Sequence, residues 1–489
     1  MTKPNQPWFI RRPMPAQVRS VHLLGIAGSG VGTFAMMLRD AGYVVKGSDQ
    51  NVYPPMSDRL TAQGIEWYES WDERHLDWAP DIVIVGNVCR STNPEAVAAQ
   101  ARGIPSVSFP QALSDLFLAH ARPTVVAGTH GKTTTTALVA HLLASLEFGP
   151  GFLLGGVAKN FNSGYRLCET AGAPFVVEGD EYDTAYFDKG PKFLHYRPSI
   201  AILNNIEFDH ADIYDDLDEI VENFDRLMDL LDEETTLIAN FDDPIVVERA
   251  KRARGKVQFF GFGEGAYFRA SSVESHEAGV RFQLSIDGQV WGGVSSPMSG
   301  LHNVSNVLAA LGACNAYGAP IEQLVSALGT FLGTDKRQEE KGTFDGVLIV
   351  DDFAHHPTAI ETTLSGLKAR YQGRRLWAVY EPKSNTARRN IHQLAYEKAF
   401  LPADRVVIAT PYQKDDGLTA SDMLDVHQLT ASLTQAGTPA VSPGDALDIQ
   451  QYLTRHAEPG DVIVVMANSG FDGLIPKLTA SLRERATTA

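Results

Sequence analysis

Cysteine is scarce in this 489-residue chain: Cys89, Cys168 and Cys314 lie far apart, and no C-x-x-C pair occurs. That scarcity excludes a disulfide framework and a thiolate metal site, and predicts a reducing compartment, the cytoplasm. Long apolar runs are missing too. Nowhere are there 18 consecutive apolar residues, and the start, MTKPNQPWFIRRPMPAQ, has arginines but no apolar stretch. We therefore expect no membrane span and no export signal. Positive charge is also short: 42 Lys and Arg against 59 Asp and Glu leave a formal charge of -17. Such a balance argues against nucleic acid as a partner, because a polyanion needs an extended basic surface, whereas a small phosphorylated ligand needs only a local one.

What is present is enough material for several cores, since one hydrophobic core stops growing near ~250–300 residues. The rhythm of the chain predicts an α/β fold of three domains, cut near 121 and 332. In residues 1–121, short β-like runs (VHLLGI, YVVKGSD, DIVIVGNV, SVSF) alternate with helical stretches such as Thr33 to Asp40, the βαβ rhythm of a Rossmann-like parallel sheet. In 122–332 a strand from Thr124 to Ala127 opens a second series, with an acidic amphipathic helix around Leu217 to Leu231 and an alanine-rich helix after Gly300. A polar stretch, Gly333 to Gly346, precedes a third alternating series in 333–489, again Rossmann-like: VLIVDD, LWAVYEP, DRVVIAT, DVIVVMA.

The strongest single motif is VVAGTHGKTTTTALVAHLL, Val125 to Leu143. A strand, a glycine turn (Gly128, Thr129, His130, Gly131) and a helix starting at Lys132, Thr133 and Thr134 aim backbone N–H groups and the positive helix end at one point, where an anion belongs. Lysine there reaches terminal phosphates and Thr133 can sit on Mg²⁺. The spacing G-x-x-x-x-G-K-[ST] is not met, because Val126 stands where the first glycine belongs. The N-terminal GIAGSGVG, with Gly28, Ser29 and Gly30 and with Asp49 at the end of the next strand, has the layout of a dinucleotide site, but its third glycine position is Thr33. By itself it fits a nicotinamide or flavin, the diphosphate of a nucleotide-linked substrate, or plain helix-on-sheet packing.

Two acidic clusters end apolar strands: Glu178, Asp180, Glu181 and Asp183 in FVVEGDEYD, and Glu207, Asp209, His210 and Asp212 in ILNNIEFDHAD. In an open parallel sheet these strand ends share an edge with the phosphate loop, and hard oxygen ligands there suit Mg²⁺. DDFAHHPTAI repeats the pattern in the third series, with His355 and His356 before a proline, readable as a functional pair or as a helix cap or core feature.

Taken together and in order, A-G-T-H-G-K-T-T-T, E-G-D-E-Y-D, N-N-I-E-F-D-H, G-L-H-N-V-S-N-V-L-A-A and D-D-F-A-H-H-P-T resemble the Mur ligase family, ATP-dependent amide-forming enzymes of bacterial cell-wall precursor synthesis. The resemblance implies a UDP-sugar at Gly28, Ser29, Gly30 and Asp49. It implies ATP on Gly128 to Thr134, Asn303, Asn306, Arg337 and Asp351, with catalytic roles for Lys132, Glu181 and His210. Mg²⁺ would sit on Thr133, Glu181 and His210. The segment E-P-K-S-N-T, Glu381 to Thr386, and the long aromatic loop after Glu181 depart from the branch that uses L-alanine. They are similar to the recycling branch, which joins UDP-N-acetylmuramate to the tripeptide L-alanyl-γ-D-glutamyl-meso-diaminopimelate. His355, His356, Lys383, Ser384, Asn385 and Arg388 are then the tripeptide candidates, with cationic groups for its carboxylates.

Overall fold

The computed structural model describes residues 9–488 apart from 51, 212 and 415–417, so Asp212 lies outside the described residues. The described residues build three large sheets in sequence order and a two-stranded antiparallel ribbon, Asp183–Ala185 with Asp188–Pro191. The first has five parallel strands in spatial order Glu66–Tyr68, Val44–Ser48, Ser20–Leu24, Ile82–Val85, Ser106–Ser108. Residues 21–24 and Ile82–Val85 are buried on both faces because helices cover both, with His22 paired to Glu95. The first helix begins at Ser29, earlier than the predicted Thr33. Gly32 allows this close seat: a Cβ there would stand 2.7 Å from the Ile26 carbonyl oxygen. It is therefore Gly32, one residue before the expected third position, that packs helix on turn.

The central sheet has ten strands. A parallel run of Phe268–His276, Lys256–Gly261, Thr236–Asn240, Ile200–Leu203, Arg122–Ala127, Pro174–Gly179 and Gly151–Ala158 is extended by antiparallel strands, Gly279–Ile286 and Gln289–Ser296 at one end and Ser163–Arg166 at the other. The acidic helix spans Leu217–Leu230; Asp216 caps it by accepting from the Glu219 N–H, and Ile220, Phe224, Leu227 and Met228 bury one stripe. Helix Leu301–Ala316 packs on helix Lys132–Ser145.

The third sheet runs Glu339–Phe344, Val347–Asp352, Val462–Met466, Leu376–Tyr380, Arg405–Ile408, Ala440–Val441, parallel except for its first strand. The stretch read as a polar separator thus contributes an edge strand. Among the described residues no helix is long and apolar enough to cross a membrane.

Candidate active site at the central sheet edge

Ala127 pairs with both Gly179 and Leu203, so three neighbouring strands end in register and deliver the phosphate loop and both acidic clusters to one edge. Gly128 and Gly131 have φ of 126° and 82°, and a Cβ on them would stand 2.9 Å from the Asn205 carbonyl oxygen and 2.6 Å from Asn306 Oδ1. Only glycine satisfies both demands. The helix that starts at Lys132 has no side-chain cap, which leaves its first N–H groups for an anion.

Lys132 Nζ donates to the Gly128 and Thr129 carbonyls (2.6 and 3.2 Å) and to Glu181 Oε2 at 2.9 Å. Burial pushes its pKa down, but Glu181 and Asp180 outweigh burial and raise it, so the ammonium persists. Thr133 donates to Glu178 Oε2 at 3.1 Å, and Gly155 N–H donates to the other oxygen of Glu178 at 2.9 Å. Burial, then Asp180, raises the Glu178 pKa. Glu181 is only 2% exposed; its Oε1 has no hydrogen-bond partner and faces His210 Nε2 at 3.3 Å. Two crowded carboxylates, one with an orphaned buried oxygen, beside the Thr133 hydroxyl fit a hard divalent cation. The structure puts Glu178 on Thr133, while Glu181 joins Lys132 to His210.

His210 holds φ at 57°, an uncommon conformation for a non-glycine residue, and its carbonyl accepts from Ile213 and Tyr214 N–H groups. Burial lowers its pKa, but Glu181 and Asp209 prevail and raise it to about 9.

The third sheet closes over this edge. Lys336 and Gln338 both take positive φ, which turns Arg337 inward; its guanidinium reaches Thr133 Oγ1 at 3.5 Å and lies 4.9 Å over the Phe353 ring. Asp351 is buried, and burial raises its pKa to about 6. Asn303 and Asn306 are both buried and tied into the fold: Asn306 accepts from Thr135 Oγ1 at 3.1 Å and donates to Asn303, which donates to the Ser299 carbonyl. Asn306 braces the phosphate-loop helix, and Asn303 holds Asn306 in place. His302 and Gln338 face each other at 3.4 Å above them.

His356 precedes helix Pro357–Arg370 and its Nε2 meets the Phe208 carbonyl at 3.2 Å; Thr358 Oγ1 donates to Glu207 Oε2 at 2.7 Å. Burial, then neighbouring His130, lowers the His356 pKa to about 3, so the ring is neutral. His355 is held by its own backbone surroundings, with Nδ1 3.1 Å from the Phe353 carbonyl. Lys383 lies 3.4 Å from Glu381 and 5.2 Å from the Tyr412 ring centre, half-buried. Ser384 Oγ accepts from Ala387 N–H at 3.0 Å, and Asn385 is half-buried. Arg388 is only 1% exposed, so its guanidinium lies below the surface, whereas the neighbouring Arg389 reaches the Ala211 carbonyl at 3.4 Å.

At the first sheet, Gly28 caps the helix with φ -64° and Ser29 and Gly30 form its first turn. Asp49 Oδ2 accepts from Ala27 N–H at 3.0 Å and so fastens the glycine turn.

Models of the Mur ligase family match in the same order: the catalytic domain over residues 20–121, the middle domain over 126–314 and the glutamate ligase domain over 336–469. The chain is 37% identical over 470 residues to the UDP-N-acetylmuramate:L-alanyl-γ-D-glutamyl-meso-2,6-diaminoheptandioate ligase of Escherichia coli (strain K12), covering 96% of this chain and 99% of the relative. This chain belongs to the Mur ligase family.

It is also 30% identical to the UDP-N-acetylmuramate:L-alanine ligase of Acetivibrio thermocellus, covering 92% of this chain and 94% of that one. Among solved structures, a murein peptide ligase from Psychrobacter arcticus superposes with a TM-score of 0.71 at 34% identity, covering 95% of this chain and 99% of its own.

In this Mur ligase the long aromatic loop has a use that sequence reasoning missed. Lys192 Nζ donates to Asp180 Oδ2 at 2.7 Å and to the Tyr182 hydroxyl at 3.1 Å, which neutralises one acid of the cluster. The only sequence signal was a lysine inside an aromatic loop beside four acids.

Proposed function

We propose that this chain is the ATP-dependent ligase joining UDP-N-acetylmuramate to the murein tripeptide L-alanyl-γ-D-glutamyl-meso-diaminopimelate, a recycling reaction. One observation carries the ligase reading: Lys132 and Thr133 open an uncapped helix against Glu178, Glu181 and His210, with Arg337 arriving from the third sheet. The tripeptide is supported by the likeness to relatives of that printed activity and by E-P-K-S-N-T.

In the reaction an oxygen of the lactyl carboxylate attacks the γ-phosphorus of ATP and ADP leaves, giving an acyl phosphate. The tripeptide's free amine then attacks the acyl carbon, phosphate departs and the amine nitrogen gives up a proton. Lys132 would turn from its loop carbonyls to the β- and γ-phosphates, and the free N–H groups of Lys132 to Thr134 would bind their oxygens. Thr133, Glu178, Glu181 and His210 would hold Mg²⁺, which supplies charge neutralisation for the transferring phosphoryl group. Arg337 adds positive charge only while the third sheet is closed, and that closure keeps water from the acyl phosphate. Gly28 to Gly30 would take the UDP diphosphate on backbone N–H groups.

The test is ADP release with Mg²⁺, ATP and UDP-N-acetylmuramate, comparing L-alanine with the tripeptide. Strong preference for the tripeptide is expected. Preference for L-alanine would move the protein to the biosynthetic branch, and ADP release without either amine would sink the ligase reading.

A further inference from the structure

We infer a second, nitrogen-rich metal site at the seam between the central and third sheets, made by His130, Glu207 and His356 and suited to Zn²⁺. Their donor atoms lie within 4.8 Å of one another. His130 Nε2 stands 3.3 Å, and His356 Nδ1 3.6 Å, from the same oxygen, Glu207 Oε2. Zinc bonds of ~2.0–2.2 Å put tetrahedral ligand atoms about 3.3–3.6 Å apart, so both separations match edges of such a site.

The tautomer of His356 makes the case. Its Nε2–H donates to the Phe208 carbonyl, which leaves Nδ1 with a lone pair. That atom is buried without a hydrogen-bond partner, in a side chain 7% exposed, and it faces a carboxylate oxygen that is also an acceptor. A buried nitrogen lone pair turned toward a carboxylate oxygen repels it unless a cation lies between them. The surroundings already have the form of a metal's outer shell: the histidine's other nitrogen is held by a carbonyl, and Thr358 Oγ1 donates to the carboxylate at 2.7 Å. His130 and Glu207 keep 21% and 32% of their side chains exposed, so an entry path and a fourth ligand position remain on the solvent side.

Two imidazoles to one carboxylate select Zn²⁺, Co²⁺ or Ni²⁺, whereas the mainly oxygen set of Thr133, Glu178 and Glu181, with a single imidazole from His210, selects Mg²⁺. His130 and Glu207 come from the central sheet and His356 from the third, so a bound ion ties the two together.

The full-length, nucleotide-free protein, in excess Mg²⁺ to fill the oxygen site, is titrated with Co²⁺ and followed by visible absorption, then competed with Zn²⁺. One equivalent with the d–d bands of four-coordinate cobalt, bleached by Zn²⁺, is expected. Glu207→Gln and His356→Gln should abolish it, Thr358→Val should weaken it on the order of tenfold, and Glu181→Gln should leave it unchanged. Far-UV circular dichroism checks each fold; if His356→Gln unfolds, the isosteric Glu207→Gln decides. Absence of cobalt bands in the wild type overturns the site, as does binding that survives Glu207→Gln or disappears in Glu181→Gln.

Discussion

The molecule contains two glycine-rich strand–turn–helix units that look alike in sequence and are built differently. In the first sheet, Gly28 has an ordinary φ of -64°, no lysine follows, and one carboxylate, Asp49, stitches the turn through the Ala27 N–H. In the central sheet, Gly128 and Gly131 have positive φ and are hemmed in by Asn205 and Asn306, and Lys132 faces buried acids. A backbone cradle without a cation would suffice to hold a diphosphate that does not react. A phosphate that must be transferred needs cationic groups and carboxylates fixed before it arrives.

The largest expected effect tests that division directly. Lys132→Ala should lower ATP-dependent turnover ~10³-fold or more while UDP-sugar affinity, by titration calorimetry, stays within about twofold; loss of both would erase the distinction between the two turns. Next comes the backbone. Gly131→Ala, at φ 82° and 2.6 Å from Asn306 Oδ1, should cost about 1–3 kcal/mol in urea unfolding, whereas Gly28→Ala, whose nearest atom is 3.4 Å away, should cost under about 0.5 kcal/mol. Equal costs would mean that the two turns are equally strained.

The charged side has its own pH signature in Mg²⁺-free protein. The His210 pKa is raised to about 9 in the fold, against ~6.5 unfolded. Its stabilising contribution is therefore complete below the lower value and disappears as pH rises through the higher one. Wild type should exceed His210→Gln by about 1–2 kcal/mol at pH 6, and the gap should close by pH 10; a gap that widens with pH would show the imidazolium to be unfavourable there. Smallest of all, Asp49→Asn keeps an acceptor for Ala27 N–H and should raise the KM for the UDP-sugar about threefold with stability unchanged within about 0.5 kcal/mol. A loss as large as that of Lys132→Ala would mean that the first turn too depends on charge.

Much of the site was legible because its demands are local. A strand followed by glycines, lysine and threonine makes an anion site from backbone geometry alone, and acids directly after apolar strands must sit at a sheet edge. What was not legible involves choices between near neighbours. Glu178 and Glu181 are three residues apart and chemically alike, yet one meets Thr133 and the other Lys132 and His210. Asn303 and Asn306 read as ligand-facing on a helix, and the fold ties Asn306 to Thr135 of the phosphate-loop helix and Asn303 to Asn306 and Ser299. Arg388 read as a cation for the tripeptide's carboxylates and is only 1% exposed, while its neighbour Arg389 reaches the Ala211 carbonyl.

The sequence by itself determined the alternating α/β order, the glycine turns and the ordered motifs that mark the family, because strand and helix periods and left-handed turns are written in adjacent residues. Only the tertiary structure decided which acid faces which hydroxyl, which cation stays exposed, and that His130, Glu207 and His356 meet at all. Those contacts join residues from loops far apart in the chain, and the side chain that reaches across depends on sheet register and domain closure, which no local pattern encodes.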